Sequence, residues 1–377
     1  MEYFSLHVKI LDTFFAIIGF YGLLTCKKKT LFWVGFFIGV FWFYWIGFGF
    51  SYYHLTYLIP LVIIGFGLIY GLFFWIIALI GKTPEIRALL MFGFVFFSPF
   101  GFNWFKPELI LINSYFSCNI YLYGLFLIAI TIMVRWKIIG ILLLIALTLL
   151  NKPSSVELPK LSIAIPITNL DQSKKWKKEY QREIVENNFF LIKKAIEAKK
   201  DLIILHESAF PLYLNLESNT LNRLKKLSND IVIVTGALHV KENLVYNSSY
   251  MFKNGEFEIA DKVVLVPFGE KIPLPKWAVG IINDIFFNGA DDYVSAKEPF
   301  DFEIKNYKFR NAICYEATTD RLYENNPKYM IAMSNNAWFT PSIEPILQRL
   351  LLKLHAKKYN TVIYHSANSG ISGIITP

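Results

Sequence analysis

The sequence has few cysteines and few charged residues for its length. Its 377 residues include three cysteines, Cys26, Cys118 and Cys314, and no two of them are close in the chain. This spacing provides neither a disulfide framework nor a zinc site. The six histidines form no HxH or HExxH pair, so we expect no metal. The sequence also lacks a glycine-rich phosphate loop and an internal repeat, and we expect no cofactor.

The scarcity of charge points to a membrane. Only 18% of the residues are charged and 54% are hydrophobic, whereas about a quarter of a soluble domain is charged. Residues 1–150 contain few ionisable groups and residues 151–377 contain most of them. The pattern predicts a helical transmembrane domain over 1–150, a linker over 151–159 and a globular domain over 160–377. The net charge of +9 does not indicate nucleic acid, because lysines and glutamates are interspersed through 174–200 as on a solvated helix face.

The first 150 residues contain six apolar runs, and a span needs roughly 20 apolar residues. The runs lie near 7–25, 31–50, 55–80, 86–104, 112–134 and 137–150. Basic residues follow the first, third and fifth runs: Lys27, Lys28, Lys29, Lys82, Arg87, Arg135 and Lys137. The positive-inside rule places these loops in the cytoplasm. We therefore expect about six spans in a bacterial inner membrane, with everything after residue 150 in the periplasm.

The second half of the chain has an α/β pattern. We predict strands near 161–167, 201–206, 231–238, 245–252, 256–266, 300–305, 307–313, 329–334 and 361–366, and helices near 176–199 and 344–358. Lys253-Asn254-Gly255 between two of the strands is a hairpin signal. Because strands both alternate with helices and pair as hairpins, we expect a mixed sheet covered by helices.

Three polar residues lie in or just after apolar strands: Glu207, Lys262 and Cys314. A buried carboxylate can remove the proton of a thiol, and a neighbouring lysine can stabilise the thiolate and then an oxyanion. Together the three groups suffice for acyl transfer. Each signal is weak when taken singly, because a buried cysteine is more often structural than catalytic.

Longer motifs surround these three residues. His206-Glu207-Ser208, Asp261-Lys262 with the following Leu-Val-Pro-Phe-Gly-Glu, and Ile313-Cys314-Tyr315-Glu316 resemble the catalytic blocks of the nitrilase superfamily. The block from Ser334 to Phe339, which contains Trp338, resembles a fourth. Because these blocks follow several apolar runs, the chain resembles the apolipoprotein N-acyltransferase family in particular.

The resemblance implies a fold, a reaction and a set of roles. The fold would be an αββα sandwich attached to a multi-span helical membrane domain. Glu207 would be the general base, Lys262 the oxyanion stabiliser and Cys314 the nucleophile. A phospholipid would acylate Cys314, and the thioester would pass its acyl chain to the α-amine of a diacylated apolipoprotein. Supporting or substrate-binding positions would be Glu270, Tyr315, Glu316, Asn247, Trp176 and Trp338.

Two other functions remain open from the residues. A membrane-tethered amidase would use the same triad with water as the acceptor, and a noncatalytic scaffold would use none of it. We also expect residues 271–299, with Phe286 and Phe287, to form an apolar lid. The chain departs from the family pattern at Asn336, where aspartate is common, and at residue 377, beyond which the family continues with further strands and a helix.

Overall fold

The structure, a computed structural model, describes residues 8–151, 156–267, 269–271 and 293–377. The chain divides into two compact units. We call the first the helical unit; it comprises Met1–Pro99, Asn103–Ser154 and Pro341–Lys358. We call the other the sheet unit; it comprises Phe100–Phe102, Ser155–Thr340 and Tyr359–Pro377. The segment 341–358 therefore clusters with the first half of the chain and not with the sheets that flank it in sequence.

The helical unit is built from apolar helices whose outward side chains are suited to lipid. They are α1 (Lys9–Thr25), α2 (Lys28–Phe43), α3 (Ile59–Ile80), α4 (Pro84–Gly93), α5 (Ile120–Arg135) and α6 (Lys137–Thr148), and a 3₁₀ segment (Tyr44–Tyr53) continues α2. Two stretches, Lys28–Tyr52 and Thr56–Ile80, are long and apolar enough to cross a membrane. The helix boundaries differ from the predicted spans most clearly at 86–104, where the helix ends at Gly93. At 1.5 Å per residue, the ten residues of α4 extend about 15 Å, roughly half the thickness of a hydrocarbon core.

One predicted loop residue has a different place. Arg87 lies in α4 and is buried. Its guanidinium donates to the carbonyls of Gly81 at 2.8 Å, Leu24 at 3.2 Å and Cys26 at 2.6 Å. It thereby caps the carboxyl end of α1, where carbonyl groups lack helical partners. The start of α4 therefore lies beside the end of α1, at one end of the unit.

The sheet unit contains two sheets. Sheet A has β1 (Ile163–Ala164), β2 (Leu202–Ile204), β3 (Phe210–Tyr213), β4 (Val232–Lys241), β5 (Leu244–Lys253) and β6 (Glu256–Asp261). Sheet B has β7 (Asp301–Ile304), β8 (Tyr307–Ile313), β9 (Tyr329–Asn335), β10 (Val362–Asn368) and β11 (Gly373–Ile375). Sheet A runs in the order β1-β2-β4-β5-β6, with β3 also paired to β4, and sheet B in the order β11-β10-β9-β8-β7. Both sheets mix parallel and antiparallel pairs, as predicted.

The remaining helices are α7 (Gln172–Lys175), α8 (Lys178–Glu197), α9 (Ser218–Leu227) and α10 (Glu344–Tyr359). The faces of α8 and α9 pack on one side of sheet A through residues such as Phe189, Leu224 and Phe252. The other side of sheet A shares a core with sheet B, which includes Met251 and Met333. Within that shared core Ser249 of β5 donates a hydrogen bond to Asn311 of β8. The two sheets are thus joined face to face by apolar packing and by the buried Ser249–Asn311 pair.

The predicted strands and helices near 176–199 and 344–358 are present with shifted ends. The predictions missed β3, α7 and α9. The strand predicted over 256–266 ends at Asp261, so Lys262 lies just beyond the ladder. The lid predicted over 271–299, including Phe286 and Phe287, lies largely outside the described residues. Where the chain is described again, Ala296 donates its N–H to the Lys262 carbonyl at 2.8 Å.

Candidate active site

Glu207 lies in a tight turn after β2. The next residue, Ser208, has a φ of 47°, a left-handed conformation that residues with a side chain seldom adopt. Gly236 of β4 lies against this turn, and a Cβ there would be 2.4 Å from the Ser208 nitrogen. The glycine therefore lets the turn approach the sheet closely. Glu207 is only 8% exposed in this position, at the edge of the core.

Side chains from three elements hold the turn. Lys175, at the end of α7, donates from Nζ to the Glu207 carbonyl at 2.8 Å. His206 Nδ1 lies 2.9 Å from the same carbonyl oxygen. Asn188 of α8 donates from Nδ2 to the Ala209 carbonyl at 2.6 Å. Burial and the nearby Lys175 charge lower the pKa of His206 to about 3, so its imidazole is neutral and Nδ1 must carry the proton that it shares.

A row of hydrogen bonds connects Glu207 to Lys262. Asn247 donates from Nδ2 to Glu207 Oε1 at 2.8 Å and to Glu270 Oε1 at 3.0 Å. Lys262 Nζ lies 2.8 Å from Glu270 Oε2 and 4.0 Å from Glu207 Oε1. The main-chain N–H of Val266 donates to Glu270 at 2.9 Å. The structure therefore brings four of the predicted residues into one cluster, with Glu270 bonded directly to the lysine.

The charge of Lys262 is maintained by this cluster. The side chain is fully buried, and burial alone lowers the pKa of a lysine. The negative charges of Glu270, Glu207, Cys314 and Glu316 outweigh burial and raise the pKa of Lys262 above its ordinary value. The raised pKa favours the charged form of Lys262, and this is the form that stabilises a thiolate or an oxyanion.

Cys314 stands at the end of β8, where the strand becomes a 3₁₀ turn (Cys314–Thr318). Its φ is 55°, again left-handed. A strained residue that is held in place by its surroundings is typical of a functional position. Cys314 as a residue is partly exposed.

Glu316 is buried and accepts hydrogen bonds from the main chain of the cysteine turn and of the segment after Lys262. Its Oε1 accepts the N–H of Ile313 at 2.7 Å, and its Oε2 accepts the N–H groups of Val263 at 2.8 Å and Val264 at 3.0 Å. Burial raises the pKa of Glu316 to about 7, against the opposing effects of Lys262 and these donors. One carboxylate thus joins the chain before Cys314 to the chain after Lys262, whereas the resemblance implied only a supporting or substrate-binding role.

The aromatic residues of the prediction have varied places. Tyr315 is buried; its hydroxyl donates to the Gly101 carbonyl at 2.7 Å and its ring stacks on Phe102 at 5.7 Å. Trp176 follows α7 and is 43% exposed, and within the described part of the chain it makes no hydrogen bond or ring contact to the Glu207–Lys262 cluster. Trp338 ends a short 3₁₀ helix (Asn336–Trp338) that follows β9 and is partly exposed.

Sequence reasoning missed several members of the site. Lys175 was not singled out because it is one of many lysines in 174–200, and Gly236 was not because it resembles an ordinary strand glycine. Tyr293 was also missed; burial and the charges of Glu270 and Glu207 raise its pKa. No signal in a single sequence distinguishes these residues from their neighbours. Among the described residues, no group of three or more His, Cys, Asp or Glu side chains is placed to hold a metal ion.

Known proteins resemble this chain over most of its length. Residues 1–152 match the family model of the apolipoprotein N-acyltransferase integral membrane domain. The apolipoprotein N-acyltransferase of Wolinella succinogenes is 44% identical over 100% of this chain and 92% of its own. That of Helicobacter pylori is 37% identical over 97% of this chain and 88% of its own. A solved CN-hydrolase superfamily protein, XC1258 from Xanthomonas campestris, is similar with a TM-score of 0.41 and 16% identity, covering 56% of this chain and 77% of that one.

Proposed function

The chain belongs to the apolipoprotein N-acyltransferase family, and from that premise we propose how its active site works and on which substrates. It is an integral membrane acyltransferase whose family acylates the amino termini of lipoproteins. We propose that Cys314 carries the acyl chain as a thioester. We further propose that the donor is a phospholipid and that the acceptor is the free α-amine of a diacylglyceryl-cysteine at the start of a lipoprotein.

The observation that carries this proposal is the buried row Glu207–Asn247–Glu270–Lys262. It sets the Glu207 carboxylate beside an ammonium whose pKa is raised above its ordinary value. A carboxylate base and a fixed cation that feels the sulfur are the two groups that a thiol needs for acyl transfer. Glu270 holds Lys262 by direct contact, so we assign it the role of orienting the cation.

The first half-reaction forms the thioester. Glu207 takes the proton of the Cys314 thiol while the sulfur attacks the carbonyl carbon of a phospholipid ester. The negative oxygen that develops is stabilised by Lys262. The C–S bond forms, the ester C–O bond breaks, and the proton on Glu207 passes to the departing alkoxide. The products are an acyl-enzyme and a lysophospholipid.

The second half-reaction transfers the acyl chain to nitrogen. The neutral α-amine of the acceptor attacks the thioester carbonyl, and Glu207 takes one of its protons. The C–N bond forms and the C–S bond breaks, after which the sulfur regains the proton from Glu207. An amide replaces a thioester, so the overall transfer is favourable and needs no further reactant.

We assign the enzyme to the bacterial inner membrane with the sheet unit in the periplasm. The support is charge placement. Arg87 binds the carboxyl end of α1, and Arg135 forms an ion pair with Glu85 at 2.8 Å, so the basic segments after α1, α3 and α5 lie at one end of the helical unit. That end belongs in the cytoplasm. A Lys174→Cys variant in intact spheroplasts should react with a membrane-impermeant maleimide, and labelling only after lysis would reverse the assignment.

Acyl-enzyme trapping tests the proposed reaction. Purified protein is incubated with a phospholipid labelled in its acyl chains, and label that hydroxylamine releases is located by peptide mass spectrometry. We expect label on Cys314 in the wild type and in a Cys26→Ser control, and none in Cys314→Ser. A folded wild-type protein that forms no thioester would contradict the proposal.

The next step of the same experiment separates the competing functions. Addition of a synthetic diacylated lipopeptide should move the label to the peptide amine at a rate proportional to peptide concentration. Release of free fatty acid at the same rate with or without the peptide would instead identify a hydrolase. Retention of the label on Cys314 would point to a different acceptor.

A further inference from the structure

Lys175 is a second fully buried lysine in the sheet unit, and the proposed reaction does not use it. Its side chain has no exposed surface, although lysine is almost never fully buried without a partner. Its Nζ donates to the Glu207 main-chain carbonyl at 2.8 Å. The residues beside it in sequence, Lys174 and Trp176, are both exposed. One lysine of a lysine-rich segment thus points inward and binds the main chain of Glu207, the proposed base.

The segment that bears Lys175 is fastened to the ends of the sheet B strands. Asn335, the last residue of β9, donates to the Gln172 side chain at 2.7 Å. Asn368, the last residue of β10, donates to Asn335 at 2.9 Å and to the Leu170 carbonyl at 2.8 Å. Because the parallel strands β8, β9 and β10 end at one edge of the sheet, this network holds Lys175 at the edge that also carries Cys314.

The charged groups around the Cys314 sulfur suggest a role for Lys175. Three carboxyl groups, those of Glu207, Glu270 and Glu316, surround Lys262. Lys262 is already bonded to Glu270 at 2.8 Å. A thiolate on Cys314 would add further negative charge to a region where Lys262 is already paired with Glu270. Another buried cation close to the sulfur would offset it.

We propose that Lys175 is this additional cation: a positioning residue that holds the Glu207 turn through its main-chain carbonyl and stabilises the Cys314 thiolate by its charge. The inference rests on the proposed function only in taking Cys314 as the nucleophile. Its role differs from that of Lys262, whose ammonium is held by the Glu270 carboxylate and not by a main-chain carbonyl.

The titration of Lys175 is consistent with such a role. Burial lowers the pKa of Lys175 to about 7, although the charges of Glu207 and Cys314 oppose the shift. His206 also lies near Lys175, and burial together with the Lys175 charge lowers the pKa of His206 to about 3, so its imidazole stays neutral. Lys175 is therefore charged below neutral pH, and a thiolate on Cys314 favours that charged form.

The test measures the thiol itself, without acyl transfer. Full-length protein in detergent is treated with iodoacetamide from pH 5 to pH 10, and alkylation of the Cys314 peptide is followed by mass spectrometry. Lys175→Met removes the charge and the donor, and Lys175→Gln removes only the charge. Lys174→Met is the matched control on the adjacent exposed lysine. We expect both Lys175 variants to raise the pH midpoint of Cys314 alkylation by about one unit, and the control to match the wild type.

The outcomes are distinct. A folded Lys175→Gln protein with the wild-type midpoint would overturn the proposal, and a midpoint raised in Lys175→Met alone would reduce Lys175 to a hydrogen-bond donor. If neither variant folds, Lys175→Arg decides: a midpoint at or below the wild-type value supports the charge, and a raised one refutes it. Failure of acyl-enzyme trapping would remove the proposed function but would leave the alkylation midpoint, and hence this inference, measurable.

Discussion

The turns that carry Glu207 and Cys314 have similar backbone conformations but are stabilised differently. Ser208 and Cys314 both have left-handed φ values, 47° and 55°. The base turn is held by side chains from distant elements, Lys175 and Asn188, and it depends on the space left by Gly236. The nucleophile turn is held by Glu316, only two residues after the cysteine. The Cys314 turn is thus held by a residue of its own motif, and the Glu207 turn by residues that are distant in the sequence.

This contrast predicts that the largest single loss of activity from a supporting residue comes from Glu316→Gln. The amide has one acceptor oxygen where the carboxylate serves three N–H groups, so at least one buried donor loses its partner, at about 1–3 kcal/mol of unfolding free energy. Displacement of the sulfur should lower thioester formation at least about a hundredfold. The measurement is the initial rate of acyl labelling. Glu324→Gln, at an exposed position nearby, is the control. Full labelling in Glu316→Gln would mean that the cysteine turn does not depend on the hydrogen bonds of the Glu316 carboxylate.

Gly236→Ala should displace the Glu207 turn and should lower acyl labelling less than Glu316→Gln does. The added Cβ would meet the Ser208 nitrogen at 2.4 Å, and such overpacking costs about 1–3 kcal/mol. The shift of Glu207 should slow acyl labelling by roughly tenfold to a hundredfold. Iodoacetamide should still reach Cys314 at a near-normal maximal rate, because the cysteine turn is supported separately. Gly65→Ala, where nothing lies within 4 Å of the new Cβ, controls for the substitution. An equal loss of alkylation would show that the two turns are coupled.

The smallest expected effect is a change in acid stability through His206. Its pKa is about 3 in the folded protein and near 6.5 in the unfolded chain. Between these values only the unfolded state binds the proton, so stability falls as pH falls below 6.5. This accounts for about 2.5 kcal/mol between pH 7 and pH 4.5. Thermal unfolding at both pH values should show a smaller acid loss in His206→Gln than in the wild type or in His54→Gln. Equal losses in all three would contradict a buried neutral histidine.

The difference between local and distant contacts also explains which parts of the site could be predicted from the sequence. The motifs around Glu207, Lys262 and Cys314 are local, and the structure brings Glu207, Asn247, Lys262 and Glu270 into one hydrogen-bonded cluster. The role of Glu316 was assigned only in part, because its Val263 and Val264 partners lie some fifty residues away. Lys175 could not be found, since whether a lysine turns inward depends on how α7 docks. Among the elements, β3 and α7 were missed because segments of four residues have little periodicity to detect. The helix α9 was overlooked although Leu221, Leu224 and Leu227 have helical spacing.

The mixed composition of the two compact units has a consequence for biosynthesis. Pro341–Lys358 clusters with the helical unit, and within it Ile343 bonds to the Tyr44 hydroxyl and Lys357 to the Ile112 carbonyl. Although chains generally fold from the N-terminus during translation, the helical unit gains these contacts only after the ribosome has passed residue 358. A fragment expressed from residue 151 onward would expose a helix whose partners were left behind. The functional unit of expression is therefore the whole chain, and maturation of the membrane half must wait for the catalytic half to be made.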